Sequence, residues 1–339
     1  MGTKCVESPY KDNPLKGCWL RRLEIILTSK KIKSGQNQII FGKKEIDNYN
    51  ISVEINKYPA LNKDSGLISI SNLEYDVLAE IQLNEYYIVE VKAGYLNPSD
   101  VFQTYFKGEI SYITQKIHSK HDVTTYFQIN SSFVARAQQT KINYSFNSSV
   151  NIYAALQYLL SKSGIENANI SDELRKEYLQ QVKNGYDSPG NIIEKITDQL
   201  SSSSGLYVNT DESGNVGSLI NMTTLENKKI FEIDPNHIII SKGNPMVSSS
   251  GIKLTVLPTH NFSPGDLIHI DNSLIDLSSG VSASSLTAST VGNYIDPKGE
   301  YMIQEIRCMF QNRGSTFEVE LRGRALSLLK NLLGSGGTK

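Results

Sequence analysis

The chain has 339 residues, 39% of them hydrophobic and 20% charged, with 34 Lys and Arg against 35 Asp and Glu for a formal net charge of −1. That length exceeds one compact core of average size, so two or three domains are expected. A balance this close to neutral lacks the basic excess that nucleic-acid binding demands, although a wall past which DNA merely slides needs none.

The first 18 residues, MGTKCVESPYKDNPLKGC, are polar and carry Pro9, Pro14 and Gly17. They read as an extended arm with no core of its own and without the apolar stretch of a secretory signal. As no run of about 18 apolar residues follows anywhere, no membrane-spanning segment is expected and the chain reads as soluble and made in a cytoplasm. Cys5 and Cys18 lie in this arm, and with Cys308 they make an odd count without metal-ligand spacing. Separate reduced thiols are expected, with a Cys5 to Cys18 pair as the alternative under oxidant.

Trp19 opens WLRRLEIILT, where Leu20, Leu23, Ile25 and Leu27 alternate as in a strand. Its indole suits a core plug, the alternative being an anchor for a partner. The following stretch, with Lys30, Lys31, Lys33, Lys43 and Lys44 around Ile39, Ile40 and Phe41, reads as a polar, basic hairpin with a solvated face. ISVEINKY then sets Ile51, Val53 and Ile55 against Ser52, Glu54 and Asn56.

Residues 65–113 combine strand, short helix, strand, turn and strand. Ile68 and Ile70 alternate with Ser69 and Ser71, Asn72 is placed to cap the helical segment LEYDVLAEI, and Tyr87, Val89, Val91 and Ala93 alternate against Ile88, Glu90 and Lys92. After the turn GYLNPSD, VFQTYFKGEISYI resumes as a strand, with Gly94 and Gly108 suited to turning or to close approach of a neighbour. The next strand pair turns at Ser119 to Asp122. His118 and His121 sit at that turn without a third ligand, which argues against zinc.

Composition changes near Asn143. Ile152, Ala155, Leu156, Leu159 and Leu160 recur at helical intervals with Gly164 as a stop, and Ser188 and Pro189 open a second helix with Ile192, Ile193, Ile196 and Leu200 on one face. Between them lies an irregular, charged connection, SDELRKEYLQQVKNGYD, with a partly helical form as the alternative, and after them a hairpin turning at Asp211 to Asn215. Strands are expected at His237 to Ser241, Gly251 to Leu257 and Asp266 to Ile270, the last after the turn formers Pro264 and Gly265. NSLIDLSSGVSASSLTASTVGNYIDPKGE reads as a long loop, and residues 300–325 as a closing hairpin around Asn312 to Ser315, with Met302, Gln304 and Ile306 alternating against Ile303, Glu305 and Arg307. LSLLKNLLGSGGTK reads as a short apolar tail with a flexible terminus.

The IxISNL entry, the VxVKAGY exit and the F-x-G-x-I return within residues 65–113 resemble the baseplate hub proteins of contractile phage tails, the late control protein D-like family, which also has members in contractile injection systems. The two-helix block with its hairpin, the run GIKLTVLP then SPGDLIHI, and the final hairpin follow the same order, so the resemblance covers roughly residues 19–324. It implies a mainly β (α+β) chain with two tail-tube-like β-barrel domains and an inserted α/β region: 1–18 an N-terminal arm, 19–142 a first barrel, 143–225 the α/β region, 226–324 a second barrel and 325–339 a tail, the barrels being open to interleaving with the insertion. It further implies a homotrimer that adapts a hexameric tail tube to a trimeric spike and lines the channel. The implied partners are the tube or tube-initiator protein, the central spike as a separate chain, the tape measure protein and the baseplate wedge, with DNA only in passage. The implied place is the virion's tail baseplate, after assembly in the host cytoplasm, and Lys30 to Tyr49 becomes a candidate contact hairpin.

Chemistry is less in view. G-x-S-x-G, H-E-x-x-H, P-loop and G-x-G-x-x-G phrases are missing. The carboxylate pairs Asp211 with Glu212 and Asp271 with Asp276 lie in turn-like sequence, and His118, His121, His237, His260 and His269 lack an obvious Ser or Cys partner. No catalytic, cofactor-binding or metal-binding residue is therefore assigned, no cofactor is expected, and the chain reads as a structural protein rather than an enzyme. The rival readings are a peptidoglycan-degrading tail-tip enzyme on the same scaffold, and the hub or tip of a non-contractile tail or of a bacterial injection machine.

Overall fold

The computed structural model describes residues 21–32, 37–42, 49–58, 64–95, 102–131, 141–163, 170, 172–179, 183–204, 207–210, 216–220, 228–239, 242–248, 251–276 and 295–335. The arm with Cys5, Cys18 and Trp19, together with Lys33, Lys43, Lys44, Gly164, Asp211 and Glu212, lies outside them.

In chain order, β1 (Arg21–Thr28), β2 (Gln38–Phe41), β3 (Asn50–Lys57) and β4 (Ser65–Ser71) precede helix α1 (Tyr75–Leu83). Then come β5 (Ile88–Tyr95), β6 (Gln103–Ser119) and β7 (Asp122–Ser131). A second group holds β8 (Ile142–Phe146), α2 (Ile152–Lys162), β9 (Lys183–Asp187), α3 (Pro189–Ser204), β10 (Tyr207–Thr210) and β11 (Val216–Ile220). The last group is β12 (Ile230–Glu232), β13 (Met246–Ser248), β14 (Gly251–Val256), β15 (Leu267–His269), β16 (Glu300–Gln311), β17 (Phe317–Ala325) and α4 (Leu326–Ser335).

The fold is mainly β. Strands of the first and last groups share a 13-stranded sheet in the order β13-β14-β17-β16-β3-β4-β7-β6-β5-β1-β2, with β15 on β16 and β12 on β15. Only the β12 to β15 pairing is parallel within it. The two groups join where β3 runs antiparallel to β16, from Lys57 opposite Ile306 to Ser52 opposite Gln311. Alternation decides which side is core. Ile51, Val53 and Ile55 from β3, Val89, Val91 and Ala93 from β5, and Cys308 and Phe310 from β16 are at most 1% exposed and belong to one apolar cluster. Gly108 permits the close approach expected of it, since a Cβ there would lie 2.2 Å from the Asn130 carbonyl oxygen.

The second group builds its own core. Ile152, Ala155, Leu156, Leu159 and Leu160 of α2 meet Ile192, Ile193 and Ile196 of α3, with Phe146, Leu174 and Leu179 closing the cluster. Asn151 caps α2 by accepting from the Ala154 N–H at 2.7 Å. Asp187, just before α3, accepts from Lys195 at 2.7 Å, from Asn191 and from the Ser188 N–H, and these bonds draw its pKa down to about 2.

Five local expectations need correction. Asn72 does not cap α1, whose N-cap position is Glu74; at φ 55° it turns the chain out of β4 and exchanges hydrogen bonds with Val123 at the start of β7, a conformation Asn tolerates better than most residues. Of the strand placed at His237 to Ser241, residues 240 and 241 lie outside the described residues, and the rest is the end of a 3-10 turn at Pro235–His237 followed by a lone bridge from Ile238 to Val256. Pro235 cannot donate to a ladder, and the Asp234 carboxylate instead accepts from the Asn236 N–H. The connection before α3 ends in a strand, β9, paired with β8. In β16 the register shifts between Ile303 and Glu305, so Met302 and Ile303 are both buried, one against α4 and the other in the main core. The tail forms α4, because Leu326 and Leu329 share a face against Leu267 and Met302, and the Asp296 carboxylate accepts from the Ser327 N–H.

Phe310 is fully buried between Tyr105, at 4.9 Å between ring centroids, and Phe317, at 5.2 Å. Phe310→Ala is expected to destabilise the sheet by about 3–5 kcal/mol in denaturant unfolding, and to lower the stability of both strand groups together because they share that core.

Candidate assembly interface

The face of the sheet opposite the core carries charge in compensated pairs. On β1, Arg22 bonds Glu24. On β5, Glu90 lies 3.6 Å from Lys92 and 3.7 Å from Lys107 of β6, and accepts from the Thr104 hydroxyl at 2.7 Å. Partial burial opposes ionisation of Glu90, but the Thr104 bond and the two ammonium groups outweigh it and hold the carboxyl below its usual range. Across the join, Arg307 reaches Glu54 at 2.9 Å; beyond it, Arg322 of β17 reaches Glu305 of β16 and Glu320 of its own strand at 3.2 Å each, and Lys253 of β14 reaches Glu320 at 2.9 Å. Glu54, Glu305, Arg307, Glu320 and Arg322, with Asn56, Tyr58 and Ile306, border a polar depression of about 290 Å³. The alternate positions of the charged residues along each strand put them there, since the intervening residues are core.

The second feature is an edge. Among the described residues, β5 accompanies β6 only from Gln103 to Glu109 and no other strand takes its place, whereas β7 pairs with β6 on to Ser119. From Ser111 to Ser119 every described side chain but Ile113 is exposed, including Tyr112 at 62% and Ile117 at 75%. A strand paired on one side only presents its other row of N–H and C=O groups as a template for a further strand. The sequence shows a strand here, and it does not show that β5 stops halfway along it.

Lys30 and Lys31, read as part of a contact hairpin, are engaged within the chain. Lys30 pairs with the largely buried Glu109 at 2.7 Å, and Lys31 bonds the Leu83 carbonyl at the C-terminus of α1 and Glu85 at 3.1 Å. Cations are favoured at that helix end. At the β6 to β7 tip His118 meets the Thr124 hydroxyl at 3.2 Å, and His121 is exposed. Among the described residues, no three or more His, Cys, Asp or Glu side chains form a group able to hold a metal. Asp271 caps a 3-10 turn through the Ser273 N–H, and His269 pairs with Glu232 at 2.7 Å across β12 and β15. His260 stacks on Phe262, and His237 and Cys308 are buried. Among the described residues, no helix is long and apolar enough to cross a membrane.

No protein-family model and no curated protein matches the sequence. The fold is similar to that of a tail protein from Neisseria meningitidis MC58, with a TM-score of 0.53 at 9% identity over 91% of this chain and 98% of that one. It is similar also to the 43 kDa tail protein of prophage MuSo2 from Shewanella oneidensis, with a TM-score of 0.53 at 9% identity over 90% and 98%. A chain of the Francisella PdpA-VgrG complex in its half-lidded form matches with a TM-score of 0.50 at 10% identity, over 91% of this chain and 58% of that one. The structural neighbours are therefore tail proteins, one of them from a prophage, and a VgrG-containing complex, and at these identities the likeness is one of fold.

The Arg307 to Glu54 pair spans the join and is nearly half exposed on both sides. A double-mutant cycle with Arg307→Gln and Glu54→Gln is expected to give a coupling of at most about 1 kcal/mol that shrinks as salt is raised, as for other exposed pairs.

Proposed function

We propose that this chain is the structural baseplate hub of a contractile phage tail, working as a homotrimer that adapts the tail tube to the central spike and lines the channel between them. The observation that carries the reading is the match of fold to two tail proteins, one of them from a prophage, across at least nine-tenths of both chains in each comparison. The order of sequence elements that resembles the hub family supports it independently.

On this reading the mechanism is assembly. The one-sided part of β6 supplies a strand edge for a neighbouring copy, a heterologous contact that closes into a ring when repeated. Two tube-like barrels per copy give three copies the approximate outline of six. The tube or its initiator sits on one face and the spike on the other, with the tape measure protein and wedge as further neighbours. Paired charges on the polar sheet face suit a wall along which DNA passes without being held, because each carboxylate cancels the cation beside it and little net field remains. The protein acts in the baseplate of the virion after assembly in the host cytoplasm, and does its work without catalysis.

The likeness to the VgrG-containing complex favours one alternative, the corresponding hub of a bacterial injection machine. A neighbouring sheath gene and capsid genes favour the phage, and a secretion operon the alternative.

Light scattering of the purified chain at micromolar concentration is expected to give three times 37.7 kDa; a monomer or another ring size rules out the adaptor. Tyr112→Lys with Ile117→Lys is expected to yield monomers that remain folded with unchanged secondary structure, since both side chains are exposed and such substitutions shift the stability of the single chain by about 0.5 kcal/mol or less. Incubation with purified peptidoglycan is expected to release no soluble fragments.

A further inference from the structure

The segment after β14 docks on the start of β6. The Asn261 N–H donates to Gln103 Oε1 at 2.8 Å, the Asn261 amide donates to the Thr104 carbonyl at 2.7 Å, and Gln103 Nε2 donates to the Thr259 carbonyl at 3.3 Å. The Tyr105 hydroxyl donates to the His260 carbonyl at 3.2 Å, and the buried Lys57 ammonium donates to Asn261 Oδ1 at 3.1 Å. This loop thus ties the last strand group to the first at a second place besides β3 and β16.

His237 holds the approach to that loop. Its carbonyl accepts from the Leu257 N–H at 2.8 Å, while the neighbouring Ile239 N–H bonds the Thr255 carbonyl. The ring is buried, and among the described residues its Nε2 has no hydrogen-bond partner. A neutral imidazole tolerates this if Nε2 is the unprotonated nitrogen. An imidazolium carries N–H on both nitrogens and leaves one donor buried without an acceptor, which is costly.

We propose that the docking of residues 257–262 on β6 is an acid-sensitive joint, opened when the His237 ring takes up a proton. Burial lowers the proton affinity of His237; Asp234 on its own turn works the other way, and His260 on the facing loop adds to the lowering. His260 is itself lowered, by partial burial and by Lys229 ahead of β12. At the C-terminal end of the loop, Lys228 donates to the Gly265 carbonyl, and Asp266, whose pKa is raised by burial, accepts from the Ser263 N–H. Lys57 and Lys228 both act on Asp266, so the cations around the loop outnumber the carboxylates. A histidine whose folded pKa lies below its unfolded value contributes stability above the unfolded pKa, near 6.5, and loses it as pH falls toward the folded pKa. Within that window the opened fraction rises about tenfold per pH unit.

The test is hydrogen exchange of the intact chain between pH 7.5 and pH 5, corrected for intrinsic rates. Peptides covering 254–262 and 102–106 are expected to gain exchange by about tenfold per unit below pH 6.5, with β3 unchanged. In His237→Phe, which keeps a ring of similar size without a titrating nitrogen, that gain is expected to vanish. Equal acceleration in the variant, or no acceleration in the unaltered chain, overturns the proposal. Should His237→Phe not fold, Asp234→Asn serves. Removing the carboxylate that favours the charged ring extends the acceleration to lower pH, and an unchanged profile counts against the joint.

Discussion

Everything in this molecule depends on the six residue pairs by which β3 lies against β16. They join strands about 250 positions apart, so that two groups separated by an α/β unit form one sheet over one apolar cluster. Closing so long a loop costs entropy that grows only slowly with its length, and the shared core offsets it. Side chains reinforce the join at both ends. Asn312 exchanges bonds with Ile51 and Tyr49, and Lys57, which continues the inward parity of β3, is 1% exposed and reaches Asn261.

Because the sheet is continuous, its outer face is continuous too. Core positions on each strand commit the alternate positions to the other side, and there Glu54, Glu305 and Glu320 find Arg307, Arg322 and Lys253 on adjacent strands. Pairs so exposed add little stability. What they do is cancel the field that unpaired rows of one sign would set up.

The α/β unit stands apart energetically, with an apolar cluster that shares no residue with the main one. Its helices bury Ile and Leu at helical intervals, so its interior was visible in the spacing of Ile152, Leu156, Leu159, Ile192 and Ile196. The β8 to β9 pairing that covers it was not, because KNGYD lacks the alternation of a half-buried strand and is mostly exposed.

Local periodicity, read from the residues alone, determined most of the strands of the main sheet and which of their faces are buried, but not β9, the turn at Pro235–His237 or the break in alternation within β16. Ile51, Val53 and Ile55, or Val89, Val91 and Ala93, admit little else, and the order of such segments carried the family resemblance. Periodicity says nothing of which strand lies beside which. The join of β3 to β16, the point where β5 leaves β6, the register shift before Glu305 and the capture of Lys30 by Glu109 of β6 and of Lys31 at the end of α1 all arise between residues far apart in sequence. They were decided only on folding, because hydrogen-bond partners and charge partners of that kind are chosen by the packing of the whole sheet, and a strand's own residues look the same whether its edge is covered or bare.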